Sequence, residues 1–430
     1  MRAGPTPWGR LLLYRGLLRA VLPFALPALW LRDRRTGKTR PSLASRLGRG
    51  LPWVEPGGVW IQAVSVGEVE VARQLVPELR QREPNLPLLV TSTTATGLER
   101  ARSSLGDLVA IHPCPFDLGR PLCRVLKAAR PRLVVLVETE LWPELLHQAA
   151  RHRAPVAIVN ARLSEGSFTS YRRLGNFLRP LLAPLELVLA RAEADSRRFV
   201  SLGVPGEKVV VAGNLKYEIS ADPEPLPWAG RLREWAAGRQ VLVAGSTMEG
   251  EEERLLEAIG ALPEAWKRLL LVLAPRHPER FAAVAQLLDR LGLATARRSD
   301  LGTAPEAPRV LLLDTIGELA RAYGLAQVAF LGGSLAPTGG HNPLEAACWG
   351  VPSLSGPNVD NFREVYDELI IAGGARLVAG ASELAEALDV WLSQPDAAAE
   401  AGARARAVVD ANRGAAGRTA DELIALWRSG

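Results

Sequence analysis

The chain spells one pattern twice. Short apolar runs rich in Val, Ile and Leu alternate with amphipathic helical stretches, first over residues 59–212 and again over 241–354. The first set of runs covers 59–65, 88–92, 108–112, 133–137, 156–159, 187–190 and 209–212; the second covers 241–244, 269–273, 310–313, 328–331 and 352–354. Runs this short and apolar on both faces belong to parallel strands covered by helices on either side. Between the sets, Asp222-Pro223-Glu224-Pro225-Leu226-Pro227 places proline at alternate positions, which makes a stiff linker. The pattern predicts an α/β protein of two doubly wound, Rossmann-like domains: a basic segment at 1–49, a first domain at 50–222 and a second at 223–430, with the last helix able to return to the first domain. Sheets of this kind bind ligands outside their strand carboxyl ends, so a cleft between facing strand ends is expected.

Composition removes several classes of function. With 430 residues, 48% apolar and 23% charged, the chain can bury two full cores and is not disordered. Neither half contains GxGxxG or GxxxxGK[ST], which argues against a nicotinamide enzyme or a P-loop ATPase. The net charge of +6 is uneven: the first fifty residues carry eleven Arg and Lys against Asp33 alone, leaving the rest mildly acidic. A basic head on an acidic body does not suit nucleic acid and fits an anionic phospholipid surface better. Three cysteines, Cys114, Cys123 and Cys348, match no zinc or CxxC spacing and read as reduced thiols.

The stretch 11–31 is strongly apolar but holds Arg15, Arg19, Pro23 and Pro27, and its longest uncharged run, 20–31, falls short of a bilayer span. Arg32, Arg34, Arg35 and Lys38 follow it. The expectation is a membrane-anchoring helix lying in or half inserted into the interface. Trp8, Tyr14 and Trp30 would sit at headgroup depth, with the arginines on phosphate. That makes a single N-terminal anchor at a membrane surface, with a spanning helix or a helix packed on its own domain as the alternatives.

Candidate site residues lie where runs end. Gly332-Gly333, Gly339-Gly340 and Gly356-Pro357 frame a loop that restarts as a helix at Asn342-Pro343-Leu344-Glu345, with Asn342 as N-cap and Pro343 as first helical residue. Free N–H groups and the positive helix end there suit a phosphate, and Glu345 could accept from ribose hydroxyls. Arg276, after Pro275, offers forked donors to a nucleotide, while His277 between prolines reads as a turn residue. In the first half, Ser65-Val66-Gly67-Glu68 places a carboxylate at a helix start. Such a group can act as general base or merely answer the helix dipole. Glu138 and Glu140 straddle Thr139 at another strand tip, and only one of them can face a ligand. Lys216, in Gly213-Asn214-Leu215-Lys216, could offset the charge of a departing phosphate. Arg172 and Arg173 could meet acceptor phosphates or simply face solvent.

The ordered set SVGE, TELWP, NARLS, GNLK, PRHPERF, DTIGEL and GGHNPLEAA resembles the bacterial 3-deoxy-D-manno-octulosonic acid (Kdo) transferases, over about residues 32–413. The resemblance implies a GT-B fold and inverting transfer of Kdo from CMP-Kdo to the lipid A precursor of lipopolysaccharide, with the N-terminal anchor at the cytoplasmic face of the inner membrane. It assigns Glu68 as base and favours Glu138 over Glu140, with Lys216, as stabilising groups. It places CMP contacts on Ile316, Gly317 and Glu318 and on Asn342, Pro343, Leu344 and Glu345. No metal and no cofactor beyond the donor are expected, since no DxD-like motif ends a strand. The chain departs from the pattern at Gln62, where His is expected, and at Arg191, Ala346 and Asn358; none of these carries an assigned role. Two other classes remain: a GT-B enzyme using a UDP-sugar on a lipid carrier, and a non-catalytic nucleotide-binding scaffold at the membrane.

Overall fold

The structure, a computed structural model, describes residues 11–12, 14–18, 20–21, 41–175 and 178–429. These form two compact units, one made of residues 1–218 and 413–430 and the other of 219–412. The second unit thus begins at Ile219, inside the region expected to belong to the first, and it returns the chain at Arg413.

The first unit is built on a seven-stranded parallel sheet. Its strands are β1 (Val59–Gln62), β2 (Leu88–Ser92), β3 (Ala110–Pro113), β4 (Leu133–Val137), β5 (Val156–Ala161), β6 (Leu185–Ala190) and β7 (Val209–Val211), in the order β3-β2-β1-β4-β5-β6-β7. Every residue of β1, β2, β4 and β5 is buried, as a sheet covered on both faces requires. One face packs on helices Val66–Arg82 and Ala95–Leu105, the other on Gly119–Ala129 and Pro143–Arg151. The helix Ala415–Ser429 completes the first of these faces: Ala416, Ala420, Leu423 and Ile424 are buried with Leu75 and Leu79. Trp427 Nε1 donates to the Gly57 carbonyl at 2.8 Å, and Arg82 pairs with Asp421 at 2.6 Å.

The second unit repeats the design with β8 (Gln240–Thr247), β9 (Leu269–Pro275), β10 (Thr295–Arg297), β11 (Val310–Leu312), β12 (Val328–Leu331), β13 (Ser353–Ser355) and β14 (Ala375–Leu377), in the order β10-β11-β9-β8-β12-β13-β14. β10 and β14 are edge strands of three residues each that the sequence reading did not anticipate. In each sheet the chain leaves the centre in one direction and then crosses back. The strand order therefore reverses between β1 and β4 in the first sheet and between β8 and β12 in the second. Crevices at such reversals are the ligand sites of open α/β sheets.

The N-terminal expectation needs correction. Among the described residues no helix is long and apolar enough to cross a membrane. Within 11–21 the described residues are helical, and the two polar side chains assigned to the interface are bound to protein instead. Tyr14 donates to Asp117 Oδ2 at 2.6 Å, and Arg15 meets both oxygens of Glu144 at 2.7 and 2.8 Å. Glu144 is fully buried, so the Arg15 guanidinium supplies the partner that a buried carboxylate requires. A single N-terminal anchor at the inner membrane is therefore not what these residues form. The expectations for Trp8, Arg19, Pro23, Pro27, Trp30, Arg32, Arg34, Arg35 and Lys38 fall outside the described residues.

Candidate active site

In the first unit the sequence-derived candidates gather around the reversal between β1 and β4. Ser65 caps the helix Val66–Arg82, its Oγ accepting from the Glu68 N–H. The Glu68 carboxylate folds back to accept from the Val64 N–H at 2.7 Å and from the Ser65 hydroxyl at 2.9 Å. This is close to a capping box, Ser-x-x-Glu, except that the carboxylate reaches one residue further back. The local motif explains why Glu68 sits where it does, yet a cap alone does not bury its carboxylate. Glu68 is 5% exposed. Burial pushes its pKa up to about 8 against the opposing Val64 N–H, and the negative charges of Glu140 and Glu138 push the same way.

Glu138 follows β4 directly and holds φ at 60°, a left-handed conformation that strains a residue with a side chain. Its carboxylate meets Lys216 Nζ at 2.8 Å. Lys216 stands in the 3₁₀ turn Leu215–Tyr217, capped by Asn214, whose Oδ1 accepts the Lys216 N–H at 3.1 Å. Asn160, buried near the end of β5 and also left-handed at φ 50°, accepts the Leu215 N–H at 3.0 Å and so fixes the turn from beneath. Glu140 accepts from Trp142 Nε1 at 2.6 Å. The two acids around Thr139 are thereby distinguished: Glu138 pairs with the lysine, and Glu140 is held by the tryptophan while adding charge near Glu68. Gln62 is fully buried, and neither of its amide atoms has a hydrogen-bond partner among the described residues. Arg172 and Arg173 are exposed on the helix Glu165–Leu174, with the Arg172 guanidinium 5.7 Å from the Phe168 ring centre.

A basic cavity of about 880 Å³ opens elsewhere on this unit. It is lined by Arg15, Arg49, Arg120, Arg124, Lys127 and Arg151, together with apolar side chains, Gln148, Cys123 and His152, and among the described residues no carboxylate is in its walls. Sequence reasoning missed it, because its cations come from segments far apart in the chain.

In the second unit Arg276 follows β9 and is exposed, its N–H donating to the Thr247 carbonyl at 3.0 Å. Pro275 ends β9 and is buried. Ile316 is 68% exposed at a strand end, a large apolar surface without cover, and Gly317 beside it is left-handed at φ 92°. Glu318 is committed within the protein. It accepts from Trp228 Nε1 at 3.0 Å, from Arg298 at 3.0 Å and from Thr315 Oγ1, and these bonds hold its pKa below the ordinary value against the upward push of burial. Its backbone, rather than its carboxylate, is what remains for a ligand.

The corner after β12 differs by one residue from the expected cap. The helix Leu344–Ala347 has Pro343 in the N-cap place, and Asn342 Oδ1 accepts the Leu344 N–H at 3.1 Å from one position earlier. Pro343 and Leu344 are buried, so only their main chain could meet a ligand, whereas Asn342 and Glu345 are partly exposed. His341, not singled out in sequence, packs on the glycine loop: a Cβ at Gly333 would lie 2.8 Å from its Nε2. Burial, then the charges of Arg276 and His277, push its pKa down to about 4, so it stands neutral beside Arg276.

Glu251 is the other residue that sequence reasoning passed over. It lies in the acidic run 249–253, which reads as ordinary helix N-terminal preference, but its carboxylate is 1% exposed and gathers the amides of the loop after β12. Among the described residues no group of three or more His, Cys, Asp or Glu is placed to hold a metal ion.

Comparison with known proteins adds ancestry to this geometry. Residues 34–219 match the 3-deoxy-D-manno-octulosonic-acid transferase (kdotransferase) family. A 3-deoxy-D-manno-octulosonic acid transferase of Haemophilus influenzae is 36% identical over 414 residues, covering 95% of this chain and 97% of that protein. One from Bordetella pertussis is 37% identical over 424 residues, covering 95% and 98%. Among solved structures, a UDP-GlcNAc 2-epimerase from Neisseria meningitidis superposes with a TM-score of 0.53 at 15% identity, over 87% of this chain and 100% of that one, a likeness of fold alone.

Proposed function

The chain belongs to the Kdo transferase family, and from that premise we propose that it moves Kdo from CMP-Kdo to a lipid A precursor, with inversion, in lipopolysaccharide synthesis. The observation that carries the mechanism is the buried Glu68 carboxyl at the β1/β4 reversal, beside the Glu138–Lys216 pair. A carboxylate kept from water with its pKa near 8 is strongly basic once ionised, which suits removal of a proton from an attacking hydroxyl. The acceptor oxygen attacks the anomeric carbon, and CMP leaves as the bond to its phosphate breaks. Lys216 offsets negative charge that develops on that phosphate, and Glu138 holds the ammonium in place.

The second unit is read as the donor site. Arg276 and neutral His341 offer donors to one phosphate, Ile316 offers an apolar face to the base, and Asn342 and Glu345 lie at the partly exposed corner. The first unit is read as the acceptor site, and its basic cavity supports an acceptor that carries phosphate. Transfer is proposed to need no metal, so chelation of the purified enzyme should leave the rate unchanged.

The test is Kdo transfer by wild type and Glu68→Ala, with CMP binding measured on both. Transfer lost with CMP affinity kept is the expected result. Normal transfer by the variant would remove Glu68 from the mechanism, and protection of the wild type by UDP in preference to CMP would replace the donor.

A further inference from the structure

The crevice at the reversal between β8 and β12 already contains an anion, and the protein supplies it. Glu251 opens the helix Glu251–Gly260, directly after Gly250 at φ 83°. One of its oxygens accepts from the Ser334, Leu335 and Ala336 N–H groups at 2.9, 2.7 and 3.3 Å; the other accepts from Gly333 at 2.7 Å and Met248 at 2.8 Å. Five main-chain donors, four of them successive, converge on one carboxylate. Successive N–H groups that curl around a left-handed residue, here Gly333 at φ 69°, form the kind of concave nest that binds phosphate in other proteins. The close fit needs Gly332 as well, since a Cβ there would lie 2.8 Å from Glu251 Oε2 and 2.5 Å from the Ser246 carbonyl. Among the described residues the Glu251 carboxylate accepts only from main chain, and its neighbour Glu252 takes Arg280 and Thr247 instead.

We propose that Glu251 is a specificity-determining residue: its carboxylate occupies the place a second phosphate would take, so this site accepts a nucleotide with one phosphate and rejects one with two. The inference rests on the reading of the second unit as the CMP-Kdo donor site and names the residue that limits that site to one phosphate. A diphosphate brought to this crevice meets a carboxylate whose surrounding donors are already engaged. Arg276 and the imidazole of His341, which packs on the same loop and feels the Arg276 charge, are available to an incoming phosphate.

The experiment is titration calorimetry of CMP and CDP on the full chain, for wild type, Glu251→Gln and Glu251→Ala, with circular dichroism confirming the fold of each. Wild type is expected to bind CMP more tightly than CDP. Removing the charge should move the CMP-to-CDP affinity ratio toward CDP by about tenfold or more, as loss of a like-charge contact does. Formate added to Glu251→Ala should refill the nest and restore the wild-type ratio, while leaving the wild-type protein unaffected. Glu251→Gln keeps the side-chain shape and one acceptor oxygen while removing the charge, so it tests the ratio even where the Ala variant fails to fold. An unchanged ratio in a folded variant, or a parallel loss of both affinities, would overturn the proposal and leave Glu251 a purely structural clamp. So would a wild type that prefers CDP. A wild type that binds neither nucleotide would instead overturn the donor-site reading beneath it.

Discussion

The proposed role of Glu68 as base would link folding and catalysis through one proton, and both can be read by pH. Its carboxyl is 5% exposed and its pKa is raised to about 8 from an ordinary 4.5. A raised acid pKa means that the folded protein favours the protonated form. The stability Glu68 contributes is therefore fully present below about pH 4.5 and is lost progressively as pH rises toward 8. At about 1.4 kcal/mol per pKa unit, the penalty grows by ~3–4 kcal/mol between pH 5 and pH 8. Glu68→Gln keeps an acceptor for the Val64 N–H and removes the ionisation, so it should be increasingly more stable than wild type over that window. Denaturant unfolding of both proteins at the two pH values measures the difference directly. Catalysis should run the other way. As the proposed base, Glu68 is about 1% ionised at pH 6 and about half ionised at pH 8, so kcat/KM for Kdo transfer should rise roughly fifty-fold across that interval and level within about one pH unit above it. The reasoning is refuted by wild type and Glu68→Gln sharing one pH dependence of stability, or by a transfer rate that is flat from pH 6 to pH 8.

Other outcomes follow from the same geometry. Lys216→Met should lower the transfer rate about 10²-fold, whereas loss of its partly exposed pair with Glu138 should change unfolding free energy by only about 1 kcal/mol. Rate and denaturation assays on one preparation separate the two effects. Arg120→Glu with Lys127→Glu should raise KM for a phosphate-bearing acceptor by about tenfold, the equivalent of ~1.4 kcal/mol, with CMP affinity unchanged by calorimetry. Gln62→Leu should stabilise the first unit by about 1–2 kcal/mol, because it removes two buried amide atoms that have no partner among the described residues. A raised thermal midpoint would show it.

The sheets were legible because buried parallel strands leave apolar runs that no solvated segment would tolerate; β2, β4 and β12 occupy the expected residues. β10 and β14 were not, since Thr295-Ala296-Arg297 and Ala375-Arg376-Leu377 are edge segments too short and too polar to stand out. At the candidate site the sequence could name Glu68 but not rank its roles, because Ser-Val-Gly-Glu is also a helix cap; what the sequence could not show is the burial and the neighbouring acids that raise its pKa. Glu251 shows the reverse difficulty. A glutamate in an acidic helix start looks ordinary until the loop eighty residues away closes over it. Tyr14 and Arg15 misled for a related reason: an apolar stretch with aromatic and basic residues reads alike whether its polar tips meet lipid headgroups or the buried carboxylates Asp117 and Glu144.

The return of the chain at Arg413 also sets an order on synthesis. The first unit lacks Ala416, Ala420 and Leu423 until the helix Ala415–Ser429 has been made, and that helix comes after the whole of the second unit. At about 5–20 residues per second the ribosome needs on the order of 10–40 s to cross the intervening segment. Throughout that interval the apolar stripe of helix Val66–Arg82, with Leu75 and Leu79, waits without its cover. Vectorial folding here therefore runs against its usual direction: the unit that emerges second can close first, and the unit that emerges first is sealed only by a helix made after it.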